Sequence, residues 1–266
     1  MNQQERRTYL IQELLKENPE YSGMKIPETS GEQKQLLRGL MNIRMPGLAG
    51  EEFSKIQDEY LQEEIRRKGI TEKDSLLPVS EEIYLWQGDI TTLRCDAIVN
   101  AANSQMLGCF CPNHGCIDNA IHTFSGIQLR EACAKLMEEQ GHEEETGKAK
   151  ITPAFNLPCN YVLHTVGPIV GRKLTEKDKD LLASCYRSCL ELAEKHGVKS
   201  IAFCCISTGE FHFPNDKAAE IAVRTVKEYK RQTGSRIEVI FNVFKDLDKE
   251  IYRKLLSADG KIADRT

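Results

Sequence analysis

Ala97-Ile98-Val99-Asn100-Ala101-Ala102-Asn103-Ser104 decides how this chain is read, together with the run Leu107–Gly126 just behind it (L-G-C-F-C-P-N-H-G-C-I-D-N-A-I-H-T-F-S-G). Ala97–Asn100 lacks polar alternation, as expected of a strand covered on both faces. Beyond it the chain enters a loop broken by Pro112 and Gly115, carrying Cys109, His114 and Cys116 at the spacing C-x4-H-x-C. Cys111 is a possible fourth donor on spacing alone. Two thiolates and an imidazole suit Zn2+, one ion per chain. Three protein ligands with one open position distinguish catalytic from structural zinc.

Outward from this point, short β-branched or aromatic runs alternate with helical patterns. The runs are Ile83–Gln87, Tyr161–Val166, Ser200–Ile206 and Ile237–Phe244; the helical patterns are Ile127–Gln140, Asp178–His196, Asp216–Gln232 and Asp248–Ser257. Such alternation predicts an α/β layer with a mostly parallel sheet. In such sheets ligands gather beyond the carboxyl ends of the strands. Residues 1–76 read differently, as a helical extension before a main unit at 77–266. Leu10, Ile11, Leu14 and Leu15 form one apolar stripe, stopped by Pro19; Leu36, Leu37, Leu40 and Met41 form a second before Pro46. Phe53, Ile56 and Tyr60 begin a third, and Arg66–Ser75 reads as a solvated connection.

Composition narrows the class. The chain has 266 residues, 40% hydrophobic and 29% charged, with a net charge of −4 and no basic stripe, which argues against nucleic acid as a partner. No run is long enough for a membrane-spanning helix, and Met1–Arg7 is polar where a signal peptide would be apolar. Ten cysteines, several inside apolar runs such as Ile201–Ile206, read as reduced thiols of a cytoplasmic protein.

Three loops after strand candidates carry chemistry. Gly88-Asp89-Ile90 is common turn chemistry whose carboxylate can also accept from a ligand amine. Asn103 can donate and accept, although an Asn in a turn usually satisfies its own backbone. Ile206–Pro214 (I-S-T-G-E-F-H-F-P) leads into a helix near Asn215, where free N–H groups and a helix N-terminus suit phosphate oxygens. Cys185 and Cys189 lie on the apolar face of a helix and read as core. His122 and His164 read as hydrogen-bonded structural residues, His142 as part of a solvated loop, and His212 as a reserve ligand.

G-D-I-T at 88–91, A-I-V-N-A-A-N-S at 97–104, I-D-N-A-I-H at 117–122, H-T-V-G-P at 164–168 and I-S-T-G-E-F-H-F-P at 206–214 occur in the order and spacing of the macrodomain family. The resemblance covers roughly residues 80–258. It implies a three-layer α/β/α macrodomain with a mixed, mostly parallel sheet, binding ADP-ribose. By position, Asp89 is similar to the family's acceptor of the adenine amine, with Ile90 beside the base, and Asn103 to the residue on the distal ribose. Ser207, Thr208, Gly209, Glu210 and Phe211 match the loop around the diphosphate, and Asp118 an acidic position next to the catalytic loop.

Where hydrolytic macrodomains commonly have a glycine-rich run, this chain has C-F-C-P-N-H-G-C. It thereby resembles the zinc-dependent, sirtuin-linked microbial subclass with its C-x4-H-x-C motif, which makes Cys111 a spectator. The resemblance implies zinc-dependent removal of mono-ADP-ribose from Asp or Glu side chains, with Asn103 and Asp118 catalytic. The substrate would be an ADP-ribosylated protein, such as a lipoyl-carrier protein modified by a partner sirtuin. The alternatives are a non-catalytic ADP-ribose reader with structural zinc, a phosphatase acting on an ADP-ribose phosphate, and a redox-sensing thiol cluster.

Overall fold

A computed structural model describes residues 1–21 and 23–260, so the final six residues of the 77–266 unit lie outside the described residues. Three helices come first: α1 (Gln3–Glu17), α2 (Ser30–Ile43) and α3 (Glu51–Lys68). Asn2 and Thr29 cap the first two by accepting from backbone N–H groups three residues on, satisfying donors that a helix start leaves unpaired. The three expected stripes meet one another, burying Leu10, Ile11, Leu14, Leu37, Leu40, Phe53, Tyr60 and Leu61 in a second cluster that Ile127 of the main unit also joins.

After the short strands β1 (Thr71–Glu72) and β2 (Pro78–Ser80) come β3 (Ile83–Gln87), β4 (Leu93–Arg94) and β5 (Ala97–Ala102). Helices α4 (Ile117–Ser125) and α5 (Ile127–Gln140) follow, then β6 (Ala149–Pro153), β7 (Tyr161–Val166) and α6 (Glu176–Lys195). The chain ends with β8 (Ser200–Phe203), α7 (Asn215–Thr233), β9 (Glu238–Val243) and α8 (Asp246–Gly260). Seven strands form one sheet in the order β2-β3-β9-β8-β5-β7-β6, parallel except for the antiparallel edge strands β2 and β6. Helices α6, α7 and α8 cover one face; α4 and α5 cover the other, and the N-terminal helices pack on that side. This is the expected α/β/α sandwich with a mixed sheet and an N-terminal helical extension.

Several details differ from the sequence reading. Ser200–Ile206 is a strand only to Phe203, because the chain must turn there to reach Ser207 at φ 65°. Helix α4, which follows the metal loop within Leu107–Gly126, and the edge strand β6 have no counterpart among the helical patterns and apolar runs of the sequence. Arg66–Lys68 is the last turn of α3 and not a solvated connection. Among the described residues no helix is long and apolar enough to cross a membrane.

Candidate ADP-ribose and metal site

Parallel pairing of β3, β9, β8 and β5 brings their carboxyl ends to one edge of the sheet. The loops at Gly88–Ile90, Asn103–Cys116 and Cys204–Pro214 emerge there. From β3 to β5 is three strand spacings, about 14 Å.

Asp89 caps a short 3-10 turn. Its Oδ1 accepts from Thr91 N (3.0 Å) and Thr91 Oγ1 (2.6 Å), and its Oδ2 from Lys68 Nζ of α3 (2.9 Å). Each carboxylate oxygen accepts about two hydrogen bonds, so Oδ1 is filled and Oδ2 retains one lone pair. These donors outweigh the opposing effect of burial and hold the carboxyl below its ordinary range. Ile90 is 1% exposed, so its side chain belongs to the core; its N–H has no acceptor among the described residues.

Asn103 is largely engaged in its own turn. Its Oδ1 accepts from Gln105 N and Met106 N (both 3.1 Å), and Nδ2 donates to Gly108 O (3.2 Å). One amide hydrogen remains, so Asn103 can offer a ligand a donor.

The loop after β8 closes on itself. Thr208 Oγ1 donates to Cys205 O (3.0 Å), Phe213 N to Ser207 O (2.9 Å) and His212 N to Gly209 O (3.0 Å). The consecutive N–H groups of Gly209, Glu210 and Phe211 have no acceptor among the described residues, which makes the bend a cradle for an anion. Gly167 lies against this loop so closely that a Cβ there would sit 2.0 Å from Ser207 Oγ.

Cys109, His114 and Cys116 do come together: their ligand atoms all lie within 4.8 Å of one another. Cys109 Sγ is 3.7 Å from His114 Nδ1, while His114 Nε2 faces Glu210 Oε1 of the anion loop at 3.6 Å. A metal-binding imidazole usually gives its second ring N–H to a carboxylate, and Glu210 stands close to that position, just beyond hydrogen-bond distance. Cys116 is the N-cap of α4, where its Sγ accepts from Asn119 N (3.4 Å). Burial raises the Cys116 thiol, against the pull of that N–H, and neighbouring Cys109 raises it further. Two adjoining thiols ionise together readily only when a cation joins them. Donor chemistry and grouping therefore fit Zn2+. Neither the sulfur of Cys111, which is exposed, nor His212 belongs to the cluster.

Behind the loop lies a buried polar layer. Asp118 is 5% exposed, with its Oδ1 accepting from Asn100 Nδ2 (2.8 Å) and lying 3.5 Å from His122 Nε2. Burial pushes its carboxyl up to about 6, against the opposing effects of Asn100 and Arg130. His164 is held by Asn100 Nδ2 (3.2 Å) and Thr152 Oγ1 (2.9 Å), as its structural reading requires. His122 differs, because neither ring nitrogen has a hydrogen-bond partner among the described residues. The donor atoms of His122, Cys133 and His164 also cluster, wholly inside the core. Neither Lys68 on Asp89 nor Glu210 on His114 was foreseen, since each joins segments that no local pattern connects.

The macro domain family model matches residues 99–222. A protein-ADP-ribose hydrolase of Treponema medium is 60% identical over 97% of this chain and 100% of its own length. A protein-ADP-ribose hydrolase of Staphylococcus aureus (strain MSSA476) is 46% identical over 95% of this chain and 96% of its own. Among solved structures, the Trypanosoma brucei macrodomain in complex with ADP-ribose superimposes with a TM-score of 0.64 at 31% identity, covering 82% of this chain and 94% of that one. With whole-length relatives at these identities, the chain belongs to the macro domain family of protein-ADP-ribose hydrolases.

Proposed function

We propose that this hydrolase is zinc-dependent and removes mono-ADP-ribose from Asp or Glu side chains of a modified protein. Its nucleotide-binding unit would be residues 77–266, with 1–76 as the helical extension. The observation that carries the reading is the meeting of His114 and Glu210, which joins the soft-donor cluster to the anion loop. A metal held there would adjoin the ribose end of the ligand, where the ester to a carboxylate side chain would break.

Cys109, His114 and Cys116 would hold the ion, which when bound supplies a Lewis acid and an acidified water. The remaining work falls to the chain's own groups. Asp89 accepts the adenine amine on the one free lone pair of Oδ2, and the N–H of Ile90 donates to the base. Ser207, Thr208, Gly209, Glu210 and Phe211 wrap the diphosphate with their backbone, and Phe211 packs near the distal ribose. Asn103 donates its spare amide hydrogen to that ribose, fixing the geometry of attack. Asp118 orients the attacking water or takes its proton; its Oδ1 is held by Asn100, and Oδ2 has no donor among the described residues.

Resemblance to the sirtuin-linked subclass supports a lipoyl-carrier protein as the substrate. The test is to incubate zinc-loaded protein with an aspartate-modified protein and follow the ADP-ribose label. Release of free ADP-ribose supports the reading. Tight binding without release identifies a reader module, and release of inorganic phosphate instead would identify a phosphatase.

A further inference from the structure

One face of α2 lies directly on the C-x4-H-x-C loop. Arg38 Nη2 donates to the carbonyl of His114 (2.9 Å), and Arg38 Nε and Nη2 donate to Asn119 Oδ1 (3.1 and 2.7 Å). Asn119 is fully buried and passes this hold onward. Its Nδ2 donates to Cys111 O (3.0 Å), and its backbone N–H donates to the sulfur of Cys116 (3.4 Å). One turn along α2, Asn42 Oδ1 accepts from Asn113 N (3.0 Å) and Asn42 Nδ2 donates to Thr123 Oγ1 of α4 (3.0 Å). Between the two, Gly39 admits the loop so closely that a Cβ would lie 3.3 Å from Asn113 Nδ2 and 3.7 Å from Pro112 Cβ. Asn113 itself has φ 57°, an uncommon conformation that needs outside support.

We propose that Arg38, assisted by Asn42, is the positioning residue of the metal loop, so that the N-terminal extension sets how firmly the chain holds its ion. This rests on the zinc reading above. The loop contains Pro112, Gly115 and a left-handed Asn113, and it has few hydrogen bonds of its own. A planar guanidinium bridging the His114 carbonyl and the Asn119 amide spans the stretch between the imidazole and the second thiol. The fork holds Asn119 Oδ1 with two nitrogens while Nη2 also reaches the His114 carbonyl, a planar three-bond arrangement that a lysine ammonium does not reproduce. Removing a group that orients a metal ligand typically weakens metal binding about 10- to 100-fold.

The test compares full-length wild type with Arg38→Ala, Asn42→Ala and the control Arg6→Ala. Arg6 pairs with Glu59 within the same bundle, at 2.8 Å. Zinc affinity and release are read by competition with a chromophoric chelator, and ADP-ribose affinity is read on the zinc-free proteins. Arg38 is half-buried, and thermal unfolding of each variant beside wild type separates loss of the ion from loss of the fold. The expected result is zinc binding weakened about 10- to 100-fold in Arg38→Ala, a smaller loss in Asn42→Ala and none in Arg6→Ala, with ADP-ribose affinity unchanged in all. Zinc held equally well by wild type and Arg38→Ala would overturn the clamp alone. So would an equal loss in Arg6→Ala, which would mark a general effect of bundle stability. A wild type that binds no zinc would overturn both the clamp and the reading beneath it.

Discussion

Replacing Asp89 by asparagine separates ligand recognition from local folding. The amide keeps an oxygen in the place of Oδ1, so the contacts to Thr91 N and Oγ1 that shape the turn survive. It puts an NH2 in the place of Oδ2, the only carboxylate oxygen with a lone pair to spare. An amine on the ligand then meets a donor where it needs an acceptor. A hydrogen bond to a charged acceptor contributes about 1.5–3 kcal/mol, or about a 10- to 150-fold loss of affinity at about 1.4 kcal/mol per decade. The only other loss is the ion pair with Lys68, whose partners are 33% and 36% exposed, worth at most about 1 kcal/mol of stability. Calorimetric titration with ADP-ribose, beside thermal unfolding, reads both quantities. Lys68→Ala is the companion variant: it frees a second lone pair on Oδ2, so affinity should hold or rise. An Asp89→Asn protein that binds ADP-ribose as tightly as wild type would refute this reasoning, as would a loss caused by Lys68→Ala.

Asp118→Asn retains an acceptor for Asn100 Nδ2 but cannot take a proton. Single-turnover release should slow about 100- to 10,000-fold with ADP-ribose affinity intact, and a rate near wild type would remove Asp118 from the mechanism. Cys116→Ala should abolish zinc binding and turnover. It also removes the N-cap of α4, costing about 1 kcal/mol by urea titration; retained stoichiometric zinc would contradict the ligand assignment. Acid should destabilise the fold through His164, whose imidazole burial pushes down to about 3. The folded chain keeps that ring neutral while the unfolded chain protonates it below about 6.5. This stability is therefore complete above about pH 6.5 and is lost as pH falls toward 3, by about 2 kcal/mol at pH 5. His122, lowered by the same burial, acts in the same direction. Asp118, whose carboxyl burial raises to about 6, acts the other way over the same range. The comparison is therefore made in Asp118→Asn, where equal urea midpoints at pH 7 and pH 5 would contradict the assignment.

Much of the architecture was legible because its signals are local. The uninterrupted apolar run at Ala97, the stripes of α1–α3 and the helical period of Ile127–Gln140 each follow from short-range pattern. The metal ligands were legible for the same reason, being three donors within eight residues. What escaped was tertiary. Strand β6, A-K-I-T-P, has little apolar content because it lies at the sheet edge. In the sequence, residues 1–76 read as a helical extension with no local pattern that ties them to the metal loop. Arg38 and His114 are 76 residues apart, and only the folded chain shows that guanidinium on the carbonyl of a ligand. Asn103 shows the converse: its turn takes most of its hydrogen-bonding capacity, as the bland reading of an Asn in a loop predicts.

The decisive measurement is a zinc titration of the chelator-stripped enzyme, following ADP-ribose release from an aspartate-linked substrate at each metal-to-protein ratio. Activity should be near zero in the stripped protein and rise linearly to a break at one ion per chain. A stripped protein turning over at the full rate, with metal analysis showing it empty, would contradict a catalytic ion at Cys109, His114 and Cys116.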